Sequence, residues 1–293
     1  MKLKWLYFAI SLIIVLPGLY FLIRYGLKLS IDFTGGALLE IRSQSKLDDQ
    51  KVNSIAAGQN IEIVSRASLE NNTYIFRTKP ITQEQNEKFK TELKNIGEGI
   101  TEKRFESVGP VIGAELTQKA FMAVLVASVF IVCYIAWSFR SIPKPYASWK
   151  FGMSAVIALL HDVLVVVGLF AMFGHLYGVE IDSLFITALL TIIGFSVHDT
   201  IVVFDRVREN LPKMTKNTFE EVVDFSLTET MVRSLNTSLT VTLTLTALLL
   251  FGGESIHWFV MALLIGIISG TYSSIFNASP ILVLWETKTS RRN

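Results

Sequence analysis

Six apolar stretches, each near the roughly 20 residues needed to cross a bilayer, dominate the pattern: Trp5–Ile23, Ala120–Phe139, Phe151–Phe173, Ser183–Phe204, Leu235–Phe251 and Trp258–Trp285. They predict six transmembrane helices. The first lacks a small-x-small cleavage pattern and is expected to stay as an anchor. Between the first two lies a polar segment, Gly26 to Thr117, with a different rhythm. GALLEIRS, IEIVSRA, TYIFRTK and EKRFESV alternate as strands, the middle two around Asn71-Asn72. LDDQKVNSIAAG and TQEQNEKFKTELKNIG have helical spacing, with Thr82 as N-cap and Gly58 and Gly97 as stops. The order βαββαβ predicts a ferredoxin-like α+β domain, an antiparallel sheet with two helices on one face. The expected organisation is therefore a helix over 1–25, an inserted domain over 26–117, five further helices over 118–287 and a tail over 288–293.

Composition agrees with a polytopic membrane protein. Of 293 residues, 51% are hydrophobic, and the mean hydropathy is +0.47. A net charge of +2 gives no reason to expect a nucleic-acid partner. One cysteine, Cys133, excludes an internal disulfide or a cysteine metal site, and four scattered histidines share no ligand spacing. No GxxxxGK[ST] phosphate loop and no nucleophile–base set occur, so no cofactor and no enzymatic activity are expected. Charge in the short loops sets the orientation. Lys2, Lys4, Arg140, Lys144, Lys150, Arg206, Arg208, Lys213, Lys216, Lys288, Arg291 and Arg292 fall on one side, whereas HLYGVEID and GGESIHW carry no Lys or Arg. Both termini are expected on the cytoplasmic side and the inserted domain outside.

Ionisable residues inside the spans are the candidate chemistry. In FSVHDTIVVFDRVREN, Asp199 follows 15 residues without a charge save its neighbour His198. Such a carboxylate costs about 2.5–3.5 kcal/mol on insertion scales, which makes it a functional candidate. It is expected to pair with Arg233, at the start of the fifth span. Arg233, Thr237, Thr240 and Thr244 follow +4, +3, +4 and form one polar stripe. Ser196 shares a face with Asp199; the two stripes either line a water-accessible path or, for the threonines, serve close helix–helix packing. His198 points about 100° away from Asp199; it is a relay candidate, with a polar contact to a neighbouring helix as the favoured reading. His161 and Asp162 form a second buried pair, with a structural brace as the favoured reading and a place in the proton relay as the alternative. TFEEVVDFSLTETMV, with Thr218 and Glu221 in a capping box, predicts an interfacial helix before the fifth span.

Small residues mark the remaining candidates. Asp32, Gly35 and Gly36 are expected to form a fixed turn from membrane to sheet. Gly109 and Pro110 are expected to be the hinge back into the membrane. Gly266 and Gly270 have GxxxG spacing, a close helix-packing surface.

SIDFTGGALLEI, ESVGPVIGAEL, HDTIVVFDRVREN and GTYSSIFNASP, with the six-span layout and the large first loop, resemble the SecF family of bacterial protein-export subunits. At Phe195 and His198 that family more often has Tyr and Asn. The resemblance implies a fold of the resistance-nodulation-division transporter type and a SecD-type partner supplying the other six spans. It implies work beside the SecYEG channel on a translocating preprotein, in the plasma (inner) membrane with its lipid, driven by proton flow through the positions of Asp199 and Arg233. A passive scaffold of the export channel and a small-molecule efflux half-transporter are the alternatives.

Overall fold

The computed structural model describes residues 3–69, 72–143 and 145–290. Lys2, Asn71, Lys144, Arg291 and Arg292 lie outside the described residues. In chain order the elements begin with α1 (Lys4–Tyr25), α2 (Ile31–Thr34), β1 (Gly36–Arg42), α3 (Asp49–Gly58), β2 (Ile63–Leu69), β3 (Thr73–Thr78), α4 (Gln83–Leu93) and β4 (Thr101–Val108). They continue with α5 (Pro110–Ser138), α6 (Ser148–Tyr177), α7 (Ser183–Asn210), α8 (Phe219–Phe251), α9 (His257–Ser273), a π-helical turn at Ser274–Ala278, and α10 (Ser279–Ser290). Six helices are long and apolar enough to cross a membrane, the last running from Glu254 to Thr287 through the π turn. The chain forms two compact units, 29–121 and the combination of 1–28 with 122–293. The first of these carries the opening three turns of α5, beyond the expected limit at 117.

In unit 29–121 the four strands are ordered β2-β3-β1-β4, and every neighbouring pair is antiparallel. This is the ferredoxin-like sheet that the βαββαβ pattern predicts. Alternation puts Leu39, Ile41, Tyr74 and Phe76 on one face, where Val52 and Ala56 of α3 and Phe89 and Leu93 of α4 cover them. Both helices start where the polar caps stand. The Asp48 carboxylate accepts from Gln50 N–H, and Thr82 and Gln85 form a reciprocal capping box. A single helical turn, α2, precedes the sheet, with the Ser30 hydroxyl accepting from Asp32 N–H.

The glycines after Asp32 are needed for two reasons. Gly35 and Gly36 have φ of +69° and +127°, which side chains resist. A Cβ on Gly35 would also lie 2.9 Å from Pro110 Cα, and one on Gly113 would lie 2.8 Å from Gly35 N. The turn before β1 and the start of α5 are thus packed backbone to backbone, and the Thr117 hydroxyl adds a 3.3 Å bond to Phe33 O. The two segments form one close junction inside a compact unit, and the expected hinge at Gly109-Pro110 falls within it.

In the bundle, α6, α7 and α9 supply most of the buried side chains. Gly18 of α1 meets Gly168 of α6 so closely that a Cβ on either would reach the other's backbone within 2.9 Å. Gly266 and Gly270 do form a close surface, against Ile192 and Ser196 of α7. The expected interfacial helix and fifth span are one helix, α8. Its capping box at Thr218 and Glu221 forms, but no Gly or Pro follows before Phe251 to interrupt it. The π turn ends two residues before Pro280, which has no N–H for the carbonyl four residues earlier. There the Ser279 hydroxyl reaches Ser274 O at 3.3 Å.

Candidate functional site

Helical period alone places hydroxyls and carboxylates along the inner faces of α6, α7, α8 and α9. Packing by small residues then brings these faces together. Asp199 is 3% exposed. Ser238 of α8 donates to its Oδ2 over 3.4 Å, and Thr271 of α9 donates to Ser238 at 2.6 Å. One residue away, Thr200 shares a 2.8 Å hydroxyl contact with Ser274 at the start of the π turn.

Arg233 is not part of this group. It is exposed, as are Thr237, Thr240 and Thr244; among the described residues it makes no ion pair. The threonine hydroxyls donate back to their own helix, Thr237 to Arg233 O, Thr240 to Thr237 O and Thr244 to Thr240 O. The stripe predicted from sequence is real, but it faces out of this chain's bundle. The stripe facing in is the adjacent one, Thr230, Ser234 and Ser238, all buried. Serine side chains let α8 approach α7 and α9 where an arginine would have to be desolvated. The expected Asp199–Arg233 pair and the shared path with Thr237 and Thr240 therefore do not form within the chain. His198 is exposed, away from Asp199 as its position in the helix requires.

Ser196 also departs from the expectation. It donates to Asp162 Oδ2 at 2.6 Å instead of sharing a site with Asp199. Asp162 of α6, wholly buried, is the centre of the strongest polar cluster in the bundle. Ser273 donates to the same oxygen at 2.6 Å, and Ser269 donates to Oδ1 at 2.8 Å. His161 Nδ1 lies 3.0 Å from Oδ1. Gly270 allows this, because it seats α9 against Ser196 Cβ and brings its own Cα line near Asp162 Oδ2. Nearby, Ser11 of α1 donates to Asn277 Oδ1 at 2.9 Å, and Tyr272 donates to Tyr7 O at 2.7 Å.

Two charged clamps close the bundle at the end where α7 stops and α6 and α8 begin. Arg206 binds Glu229 of α8 through two nitrogens at 2.8 and 2.7 Å, and Asn210 adds a 2.7 Å bond to the same carboxylate. The motif VVFDRVREN thus carries the lock between α7 and α8. Lys150 of α6 pairs with Glu286 of α10 at 3.0 Å, both buried. The roles of Ser238, Thr271, Ser269, Ser273 and Glu229 were missed in the sequence. For Ser269, Thr271 and Ser273 the signal was the run ISGTYSS, five hydroxyl residues within six positions of an apolar helix. Among the described residues no cluster of His, Cys, Asp or Glu is arranged to hold a metal.

Residues 88–288 match the family described as protein export membrane protein SecD/SecF, C-terminal, and residues 20–46 match the SecD/SecF GG motif, which contains Gly35 and Gly36. The chain belongs to the SecD/SecF family, on the SecF side. It is 47% identical to the protein translocase subunit SecF of Thermobaculum terrenum, over 97% of this chain and 93% of that one. The SecF of Anaerolinea thermophila is 42% identical over 97% and 92%. The crystal structure of SecDF from Thermus thermophilus, a translocon-associated membrane protein, superposes with a TM-score of 0.83 at 31% identity. That superposition covers 98% of this chain and 38% of SecDF. With this family and six apolar helices, the chain is a multi-pass protein of the cell membrane.

Proposed function

We propose that the chain is an accessory subunit of Sec protein export that couples proton movement to preprotein translocation, and that Asp199 is the proton carrier. The observation that carries this reading is the contrast between the two buried carboxylates. Among the described residues Asp162 is held by four groups, whereas Asp199 has one hydroxyl at 3.4 Å. A carboxylate has about four acceptor positions, so Asp199 keeps capacity for a proton and for water. Both termini facing the cytoplasm follows from the charge of the short loops. The relatives' names support the export role, and SecDF, of which this chain matches one part, supports a SecD-type partner. SecYEG, the preprotein and lipid are then the surroundings in which the pair works.

Arg233, Thr237 and Thr240 belong to this reading through their exposed face on α8, which we assign to the SecD-type partner. Arg233 then acts on the proton path at the boundary between subunits. One proton crossing a 100 mV potential supplies about 2.3 kcal/mol, so a few protons suffice for a conformational step.

The test is gradient-driven export by membranes in which Asp199→Asn replaces the native chain. The amide keeps the shape and removes ionisation. Gradient-dependent export is expected to vanish while assembly with the partner persists. Export at the wild-type, gradient-sensitive rate would eliminate the carrier role and favour a passive scaffold. Arg233→Lys is expected to keep part of the activity and Arg233→Leu none. Equal rates for the two would show that charge at 233 is irrelevant.

A further inference from the structure

Asp162 has no part in the pathway through Asp199, yet it is the best-bonded group in the bundle. Its four acceptor positions are filled two per oxygen: Ser196 and Ser273 on Oδ2, Ser269 and His161 on Oδ1. Three of the donors are neutral hydroxyls. A protonated Asp162 would have to donate its own O–H to one of these hydroxyls, Ser273 being the one with another acceptor in reach, Gly270 O at 3.2 Å. With all three hydroxyls donating, as their geometry allows, Asp162 is held as an anion.

A buried anion inside a span requires a countercharge. The elements around Asp162 bring α7's Ser196, α9's Ser269, Tyr272 and Ser273, and α1's Tyr7 and Ser11. Asp199 of α7 is engaged with α8 through Ser238, and His198 is exposed. Among the described residues no Lys or Arg is paired with Asp162. Of the described residues in contact with Asp162, His161 is the one able to become positive. Because the carboxylate only accepts, His161 Nδ1 carries a hydrogen, and the ring's lone pair sits at Nε2. Nε2 is buried and, among the described residues, has no hydrogen-bond partner; it lies beside the Tyr272 ring at a centroid distance of 6.4 Å. Buried polar atoms are rarely left unsatisfied without a purpose.

We propose that His161 and Asp162 form a second proton-binding site, which takes a proton at His161 Nε2 while Asp162 stays as its fixed counter-anion. The proton arrives from water and forms an N–H bond with the imidazole lone pair. No bond in the protein breaks and nothing is oxidised; release is the reverse. The use of this proton in export rests on the proton-driven reading above, whereas its binding does not. The bundle would then hold two proton sites, one on α7 facing α8 and one on α6 facing α9.

The chain has four histidines, so its imidazole spectrum is simple. The experiment is solid-state NMR of the full chain, labelled with 15N-histidine and assembled with its SecD-type partner in lipid vesicles. Spectra are recorded between pH about 5 and 8, the range in which imidazoles change charge. The signal lost in His161→Gln is expected to keep a protonated Nδ1 throughout and to gain a proton at Nε2 as the pH falls. In Asp162→Asn the preference for protonated Nδ1 is expected to be lost. If His161→Gln does not assemble, removing His175, His198 and His257 singly assigns the remaining signal. A His161 that stays neutral across the range, or whose bare nitrogen is Nδ1, overturns the proposal. Asp199→Asn is expected to leave the His161 titration in place, so this result and the export result fail independently.

Discussion

Gly266→Ala tests the packing that positions both carboxylates. An added Cβ would lie 2.4 Å from Ile192 Cδ1 and Cγ1 and 2.7 Å from Cγ2. Carbon atoms rest at about 3.5–4.0 Å, so three atoms overlap by roughly 1 Å each. Ile192 is wholly buried, so its side chain cannot swing out into solvent to make room. Overpacking of this kind costs about 1–3 kcal/mol. Ile192→Ala removes all three clashing atoms, at a cost of about 2–5 kcal/mol for the cavity. In the double variant the new methyl enters that cavity. It is therefore expected to be no less stable than Ile192→Ala alone, which makes the coupling energy about 1–3 kcal/mol. The assay is a double-mutant cycle of reversible SDS-titrated unfolding followed by circular dichroism. Costs that add within about 0.5 kcal/mol would refute the close α7–α9 contact. The same contact holds Ser269 and Ser273 on Asp162, so Gly266→Ala is also expected to perturb the His161 spectrum.

Among the described residues, Lys150→Met leaves the buried Glu286 carboxylate with the Ala147 N–H at 3.4 Å and is expected to cost about 3–5 kcal/mol, which Lys150→Met with Glu286→Leu largely restores; fluorescence of the adjoining Trp149–Trp285 pair, 5.4 Å apart, reports it, and a double variant as unstable as the single one would refute the pairing. Phe89→Ala is expected to destabilise unit 29–121 by about 3–5 kcal/mol, because Phe89 is wholly buried against Phe76; hydrogen exchange should rise in β1 and β3 but not in α7, and a uniform rise across both units would contradict the division. The Lys90 ammonium is held above its ordinary value, first by its bond to Glu87 and, against the opposing effect of burial, by Glu102. A raised cation stabilises below its unfolded pKa and loses that contribution as pH rises through the folded one. Thermal stability of this unit should therefore fall above pH about 10, and Lys90→Gln should remove the contribution of that residue; an unchanged alkaline profile would count against it.

Much of the architecture was legible because its causes are local. Span length is a count of apolar residues, and it located all six helices. Strand alternation and turn residues gave the ferredoxin-like order, and Thr82, Thr218 and their N3 partners announced two helix starts that form as capping boxes. Asp199 stood out because a charge in an apolar run is visible without any structure. What the tertiary structure decided was which stripe meets which neighbour. A lipid-facing helix is apolar on every side, so its hydrophobic pattern does not mark an inner face. On α8 the charge of Arg233 drew attention to one stripe, while the adjacent serines, able to approach α7 and α9 closely, took the interior. Asp162 looked like a minor pair with His161 because its other three donors lie 34 to 111 residues away. Only the close passage of helix backbones at Gly270 brings them together, and that depends on the absence of a side chain, which one sequence cannot connect to its distant partner.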